Sequence, residues 1–313
     1  MSPASISSRA KAQWQIHFCV VLWGFTAILG KLITLAALPL VWWRMLLVTA
    51  ALLLIPRVWR GLRALTPRLL AAYVGIGVLV SLHWLTFYGA IKLANASVAA
   101  TCIALAPVFL AMIEPAIARK RFDPRELLLG IAVVPGVALV VGGIPSAMRV
   151  GVAVGALSAL FVACFGALNK RMVEHADPLT VTCLELGAGA VFLTLLAPLL
   201  PHAGSAFVLP DPHDALLLLA LALGCTLLPF ALSLVALRQL SAFTVQLAVN
   251  LEPVYAIVLA IVLLGEQHQL EPLFYLGVAI ILGAVFAHPL ISRQVPAMPQ
   301  RQMLGTAESK GID

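Results

Sequence analysis

Charge is scarce in this chain: 11% of its 313 residues are Asp, Glu, Lys or Arg, against about 25% in an ordinary soluble domain. No water-facing surface can be built from so little, and a large soluble catalytic domain is excluded. Cysteine is sparse and odd in number. Cys19, Cys102, Cys164, Cys183 and Cys225 all lie inside apolar runs and form no C-x-x-C pair. A disulfide framework or zinc site is therefore not expected, and the five read as small buried hydrophobes. Enzyme signatures are missing too. There is no H-E-x-x-H helix, no Asp dyad and no Ser/His pair at membrane depth, which an intramembrane protease or lipid transferase would need. Gly24 to Gly30-Lys31 has the wrong spacing for a P-loop and ends in Leu32, and Gly75 and Gly77 lack the third glycine of a dinucleotide fingerprint. No cofactor is expected. Although the net charge is +7, the basic residues fall between apolar runs and make no continuous stripe, so nucleic acid is not a partner.

What the chain has instead is hydrophobicity: 62% of residues and a mean hydropathy of +1.05. A bilayer core about 30 Å thick takes about 20 apolar residues per helix. Ten runs meet that description: Trp14–Leu35, Leu40–Val58, Leu69–Ile91, Asn95–Ala118, Leu127–Gly143, Gly151–Arg171, Leu179–Leu200, Ala215–Leu237, Ser241–Leu264 and Pro272–Leu290. Proline and charge clusters punctuate them at Pro56-Arg57, Thr66-Pro67-Arg68, Asp123-Pro124-Arg125, Asp177-Pro178 and Asp211-Pro212. Lipid admits only helices or closed barrels, and these runs are too long and too uniformly apolar for barrel strands. The expectation is an all-α polytopic membrane protein with ten transmembrane helices. The first run is longer than a signal-peptide core, and a second span follows directly, so it reads as a retained helix. The polar tail, residues 291–313, is expected to be disordered and cytoplasmic.

Sixteen Lys and Arg residues fall at one set of helix ends, and only Lys31, Lys92 and Arg149 at the other; Arg44 lies within a span. By the positive-inside rule both termini face the cytoplasm. The chain also repeats. Ala94-Asn95-Ala96-Ser97 leading to Leu105-Ala106-Pro107-Val108-Phe109 matches Leu240-Ser241-Ala242-Phe243 leading to Leu251-Glu252-Pro253-Val254-Tyr255, at an offset of 146 residues. Lys92 maps onto Arg238 at that offset, Gly130 and Gly136 map onto Gly277 and Gly283 at 147, and Lys31 and Pro39 onto Lys170 and Pro178 at 139. Two halves of five spans follow, residues 14–143 and 151–290. Five is odd, so the second is inverted relative to the first, the plan of many secondary transporters.

Leu22-Trp23-Gly24, Arg44, Pro107-Val108, and Pro253 with Leu264-Gly265-Glu266 are the residues by which the chain resembles the paired EamA domains of the drug/metabolite transporter superfamily. The likeness covers residues 14–290. Where the first half would carry Leu-Gly-Glu, Arg119-Lys120-Arg121 stands instead. The resemblance implies ten helices around a central cavity and the movement, commonly export, of small metabolites such as amino acids. The expected location is a bacterial inner membrane, with a proton as one candidate coupling ion. An intramembrane enzyme or a non-transporting membrane scaffold is the alternative.

Site candidates follow from polar groups at membrane depth. Glu252 is the twelfth of 24 residues in its run, and Pro253 beside it frees a backbone carbonyl. Pro107 is its partner break, since paired interruptions in the two halves point to a transporter's binding site. Arg44 suits a carboxylate ligand, or else braces helix ends. Glu185 is either paired for structure or lines a polar cavity. His83, Trp84, Phe87 and Tyr88 form an aromatic-rich cluster that serves packing or a substrate box. Trp23 and Asn250 complete the substrate-binding set. Gly151, Gly155, Ala159, Ala163 and Ala167 make a small-residue stripe for close helix approach. His202, Asp211, His213 and Asp214 share an outer loop, read as solvated rather than as a metal site.

Overall fold

The structure is a computed structural model and describes residues 3–118, 124–200, 205–249 and 251–291. Among the described residues it is helical, with no strand. The helices are α1 Pro3–Leu32, α2 Ala37–Leu53, α3 Pro56–Ala64, α4 Pro67–Leu93, α5 Ala96–Ile103, α6 Ala106–Ala118, α7 Pro124–Gly142, α8 Arg149–Met172, α9 Pro178–Leu196, α10 Pro212–Leu219, α11 Leu228–Leu237, α12 Ala242–Val249, α13 Glu252–Leu264 and α14 Pro272–Ile291. A π-helical segment, Ala220–Leu227, joins α10 to α11. Asn250, the Arg119–Lys120–Arg121 cluster, His202 and the tail from 292 onward lie outside the described residues.

The punctuation clusters become helix starts. Thr66, Asp177 and Asp211 are N-caps whose side chains accept from Leu69, Thr180 and Asp214 amides, each followed by a proline in the first turn. Proline fits there because its missing N–H is one the helix could not use. The expected run Leu40–Val58 is corrected on the same ground. Ile55, before Pro56, is held extended (φ −92°, ψ 113°), as a pre-proline residue prefers. The span ends at Leu53, and α3 turns away at 96°. α3 is amphipathic: Val58 is buried while Arg57, Arg60 and Arg63 are exposed.

Six helical stretches are long and apolar enough to cross a membrane, a seventh unit is the bent α2–α3 pair, and Ile131–Gly142, Glu252–Leu264 and Pro272–Ala284 are shorter apolar helices. Length alone therefore gives fewer than the ten expected crossings. Exposed large apolar side chains such as Trp14, Val262, Leu195 and Leu216 give the outside a surface suited to lipid.

The two halves match in backbone detail. Around the first break Leu105 N donates to Cys102 O (3.1 Å) and Val108 N to Leu105 O (3.0 Å); around the second, Leu251 N donates to Ala248 O (3.0 Å) and Val254 N to Leu251 O (3.1 Å). Caps repeat as well: Asn95 Oδ1 accepts from Val98 N and Ser241 Oγ from Thr244 N. Lys92 donates to Ile33 O just past α1, and Arg238 to Val173 O and Ala176 O just past α8. Packing follows the same exchange. α4 against α8 has α11 against α1 as its counterpart, and α1 against α13 has α8 against α6. The pair α5–α13 has α12–α6 as its counterpart, and the pairs α2–α9 and α7–α14 map onto themselves. At the last, Gly136 and Gly277 face each other, so that a Cβ on Gly136 would stand 2.8 Å from the Gly277 carbonyl.

Candidate functional site

A cavity of about 110 Å³ lies where the halves meet, room for several water-sized groups. It is lined from α1 (Trp23, Thr26), α2 (Arg44), α4 (His83, Trp84, Phe87), α5 and α6 (Ile103, Leu110), α8 (Val162, Phe165, Gly166, Asn169), α11 (Phe230, Ser233, Leu234, Leu237), α12 (Ala242, Val245, Val249) and α13 (Glu252). Mostly apolar, aromatic walls with a few convergent polar groups are what a small-molecule site needs.

Part of the wall obeys the repeat and the charges do not. At the offset of 139, Trp23 and Thr26 correspond to Val162 and Phe165; at 146, Trp84, Phe87 and Ile103 correspond to Phe230, Ser233 and Val249, and all ten line the cavity. Arg44, Glu252 and Asn169 correspond to Cys183, Ala106 and Gly30, none of which lines it. Repetition thus builds part of the enclosure, and unrepeated residues give it charge.

Arg44 is buried. Nε donates to Thr226 Oγ1 (2.5 Å), one Nη to Tyr88 Oη (2.7 Å) and the other to Cys225 O (3.5 Å), while its guanidinium carbon stands 3.8 Å over the Trp84 ring. Thr226 and Cys225 belong to the π-helical segment, whose wider turn lets Thr226 Oγ1 reach Leu221 O. Such bulges recur at functional sites. Arg44 therefore does not snorkel to the surface; it ties α2 and α4 of the first half to the second. Its contacts are to neutral groups and use three of five N–H donors.

Glu252, 7% exposed, opens α13 and faces the same cavity. Among the described residues it makes no hydrogen bond or ion pair, and it shares an electrostatic interaction with Arg44 without touching it. His83 Nδ1 lies 2.8 Å from Ser158 Oγ, a buried Ser/His contact where none is expected from the sequence. Ser158 does not line the cavity and also donates to the His83 carbonyl (2.9 Å), so the contact fixes the ring at the wall. Tyr88, expected in the site, is fully buried behind it and serves Arg44. Glu185 does not line the cavity; Asn169 stands between. Both helix breaks are present, but neither Pro107 nor Pro253 lines the cavity, and only Glu252 beside Pro253 does. Each proline is the second residue of its helix, where its missing N–H goes unused, and this fixes where the helix starts without aiming the ring at the cavity.

Sequence reasoning passed over Thr26, Phe165, Asn169, Phe230 and Ser233. The offsets of 139 and 146 applied to Trp23, Trp84 and Phe87 reach Val162, Phe230 and Ser233. Asn169 carried no such signal. The Leu264-Gly265-Glu266 motif has a structural task. Gly265 ends α13 in the left-handed conformation (φ 65°), and Glu266 caps α5, accepting from Ala96 N (3.1 Å), Ser97 N (3.0 Å) and Ser97 Oγ (2.6 Å). Gly24 of the Leu-Trp-Gly motif lets α1 approach Tyr255 of α13, 2.8 Å from a would-be Cβ. Asp211, His213 and Asp214 do gather, but the Asp214 oxygens are occupied by Thr34 N, Thr34 Oγ1 and Leu35 N, clasping the α1–α2 turn.

Apolar helices in two matching halves around a sparsely polar cavity fit a membrane transporter built from an internal repeat. The chain belongs to the EamA-like transporter family, which it matches at residues 12–142 and again at 149–288. A solved chain titled "Crystal structure of protein" shares the fold, with a TM-score of 0.64 at 17% identity over 91% of this chain and 99% of its own. No curated protein matches.

Proposed function

We propose that the protein is a ten-span secondary carrier whose halves, residues 14–143 and 151–290, are inverted and rock about the cavity in alternating access. Its solute is a small polar or amphipathic metabolite such as an amino acid, moved outward across a bacterial inner membrane with both termini cytoplasmic. The observation that carries this reading is that Arg44 and Glu252 line one aromatic-walled cavity without pairing to each other. A zwitterion completes both: its carboxylate takes the N–H donors Arg44 has left over, and its ammonium takes the Glu252 carboxylate, with the apolar remainder against Trp23, Trp84 and Phe230. Buried charges held apart from one another are costly unless a ligand meets them.

The test is flux. Purified protein in sealed vesicles is loaded with a panel of amino acids and related metabolites, and efflux is followed with and without a pH gradient. Saturable efflux of zwitterions, reduced for analogues lacking either the amine or the carboxylate, is the expected result. Flux of no member of the panel, with the protein folded, would overturn the reading and leave a scaffold.

A further inference from the structure

One buried carboxyl has no part in the cavity as described. Glu185 lies two turns into α9, fully buried, and a single side chain separates it from the cavity. Asn169 lines the cavity and donates Nδ2 to Glu185 Oε2 at 3.3 Å. Glu185 Oε1 and Asn169 Oδ1 are both buried without a partner.

Among the described residues the neighbouring helices offer Glu185 no counter-charge. Tyr73 of α4 faces it but donates its hydroxyl to Met172 O (2.9 Å). From α2, Thr49 lies against Gly187 and Met45 against Gly189. Arg57 of α3 pairs with Asp177. α11 has no ionisable residue, and Arg238 after it donates to the carbonyls of Val173 and Ala176. Lys170, next to Asn169, donates to Leu237 O. A carboxylate with one neutral donor is poorly solvated at this depth, whereas a carboxylic acid brings its own donor and needs far less solvation. An added proton brings the donor that the pair lacks: with the Asn169 amide turned over, an acid O–H on Oε2 meets Oδ1.

We propose that Glu185 is a proton-binding site that opens to the cavity through Asn169. On release the O–H bond breaks with its electron pair left on Glu185, and the proton passes to water entering the cavity. Asn169 is the positioning residue, holding the carboxyl and shutting it from the cavity by turns. Use of this proton in coupling rests on the transport reading above; its binding does not.

The experiment is infrared spectroscopy of the solute-free full chain in phosphatidylcholine vesicles, titrated in H₂O and D₂O. A protonated-carboxyl carbonyl band that shifts in D₂O and fades as pH rises is expected in the wild type and in Glu252→Gln, and absent in Glu185→Gln. Asn169→Leu should keep the band but change its exchange into D₂O about tenfold, the weight of one hydrogen bond. An unchanged band in Glu185→Gln overturns the site, and unchanged exchange in Asn169→Leu removes Asn169 from the path. If Glu185→Gln fails to fold, Glu185→Asp must move the band, and a band at the wild-type position overturns the proposal. Solute flux without the band refutes the site alone. The band without flux refutes the carrier and leaves the site.

Discussion

Arg44 and Glu252 share a cavity but differ in how they are held, so their substitution should have opposite signatures. Arg44 holds three partners with a planar fork. Lysine cannot reproduce that fork, and Arg44→Lys leaves buried Thr226 and Tyr88 oxygens short of donors. A loss of about 1–3 kcal/mol in stability is expected, read as a lowered melting temperature in detergent. Among the described residues Glu252 makes no hydrogen bond or ion pair for folding to depend on. Glu252→Gln keeps size and hydrogen-bonding capacity, so expression and melting should stay near wild type while flux falls at least tenfold. Wild-type flux from a folded Glu252→Gln protein would take the residue out of the mechanism. Loss of folded protein would make it a structural group instead.

Between elements, backbone contacts and caps decide. Glu266 satisfies two amides and a hydroxyl at the start of α5. Glu266→Ala orphans them inside the protein and should cost about 2 kcal/mol or more, with Glu266→Gln costing less because one acceptor remains. The difference in melting temperature between the two variants measures the cap. Gly136 sets the α7–α14 approach: its would-be Cβ stands 2.6 Å from Ile281 Cγ1 and 2.8 Å from the Gly277 carbonyl. Because backbone cannot give way cheaply, Gly136→Leu should destabilise by about 1–3 kcal/mol. Gly75 has nothing within 4 Å, so Gly75→Ala should stay within about 0.5 kcal/mol. Because Ala and Leu both favour helix over Gly, a loss at Gly136 alone reports the contact, and equal changes at the two glycines would show that contact does not set their cost.

At the scale of the whole molecule, the charge asymmetry and the five-plus-five repeat make a topological prediction. Single cysteines at positions 60 and 210 in a cysteine-free background should label from opposite sides of the membrane. Labelling of both from one side would sink the inverted arrangement. The apolar runs, the proline-started helices, the repeat and the two breaks were legible in the sequence by itself, because each arises from a local cause: the cost of exposed backbone in lipid, the missing N–H of proline, or a cap one turn away. Trp23, Arg44, His83, Trp84 and Glu252 were also legible as polar or aromatic groups at membrane depth. Which of the candidates share a cavity was not, since that depends on helix rotation and on contacts between residues more than a hundred positions apart. Only the tertiary structure turned Tyr88 away from the cavity and onto Arg44, set Asn169 in front of Glu185, and gave Glu266 to the end of α5. Those assignments are made by long-range packing, where the residue that meets a side chain is chosen by the helix across from it and not by its neighbours in sequence.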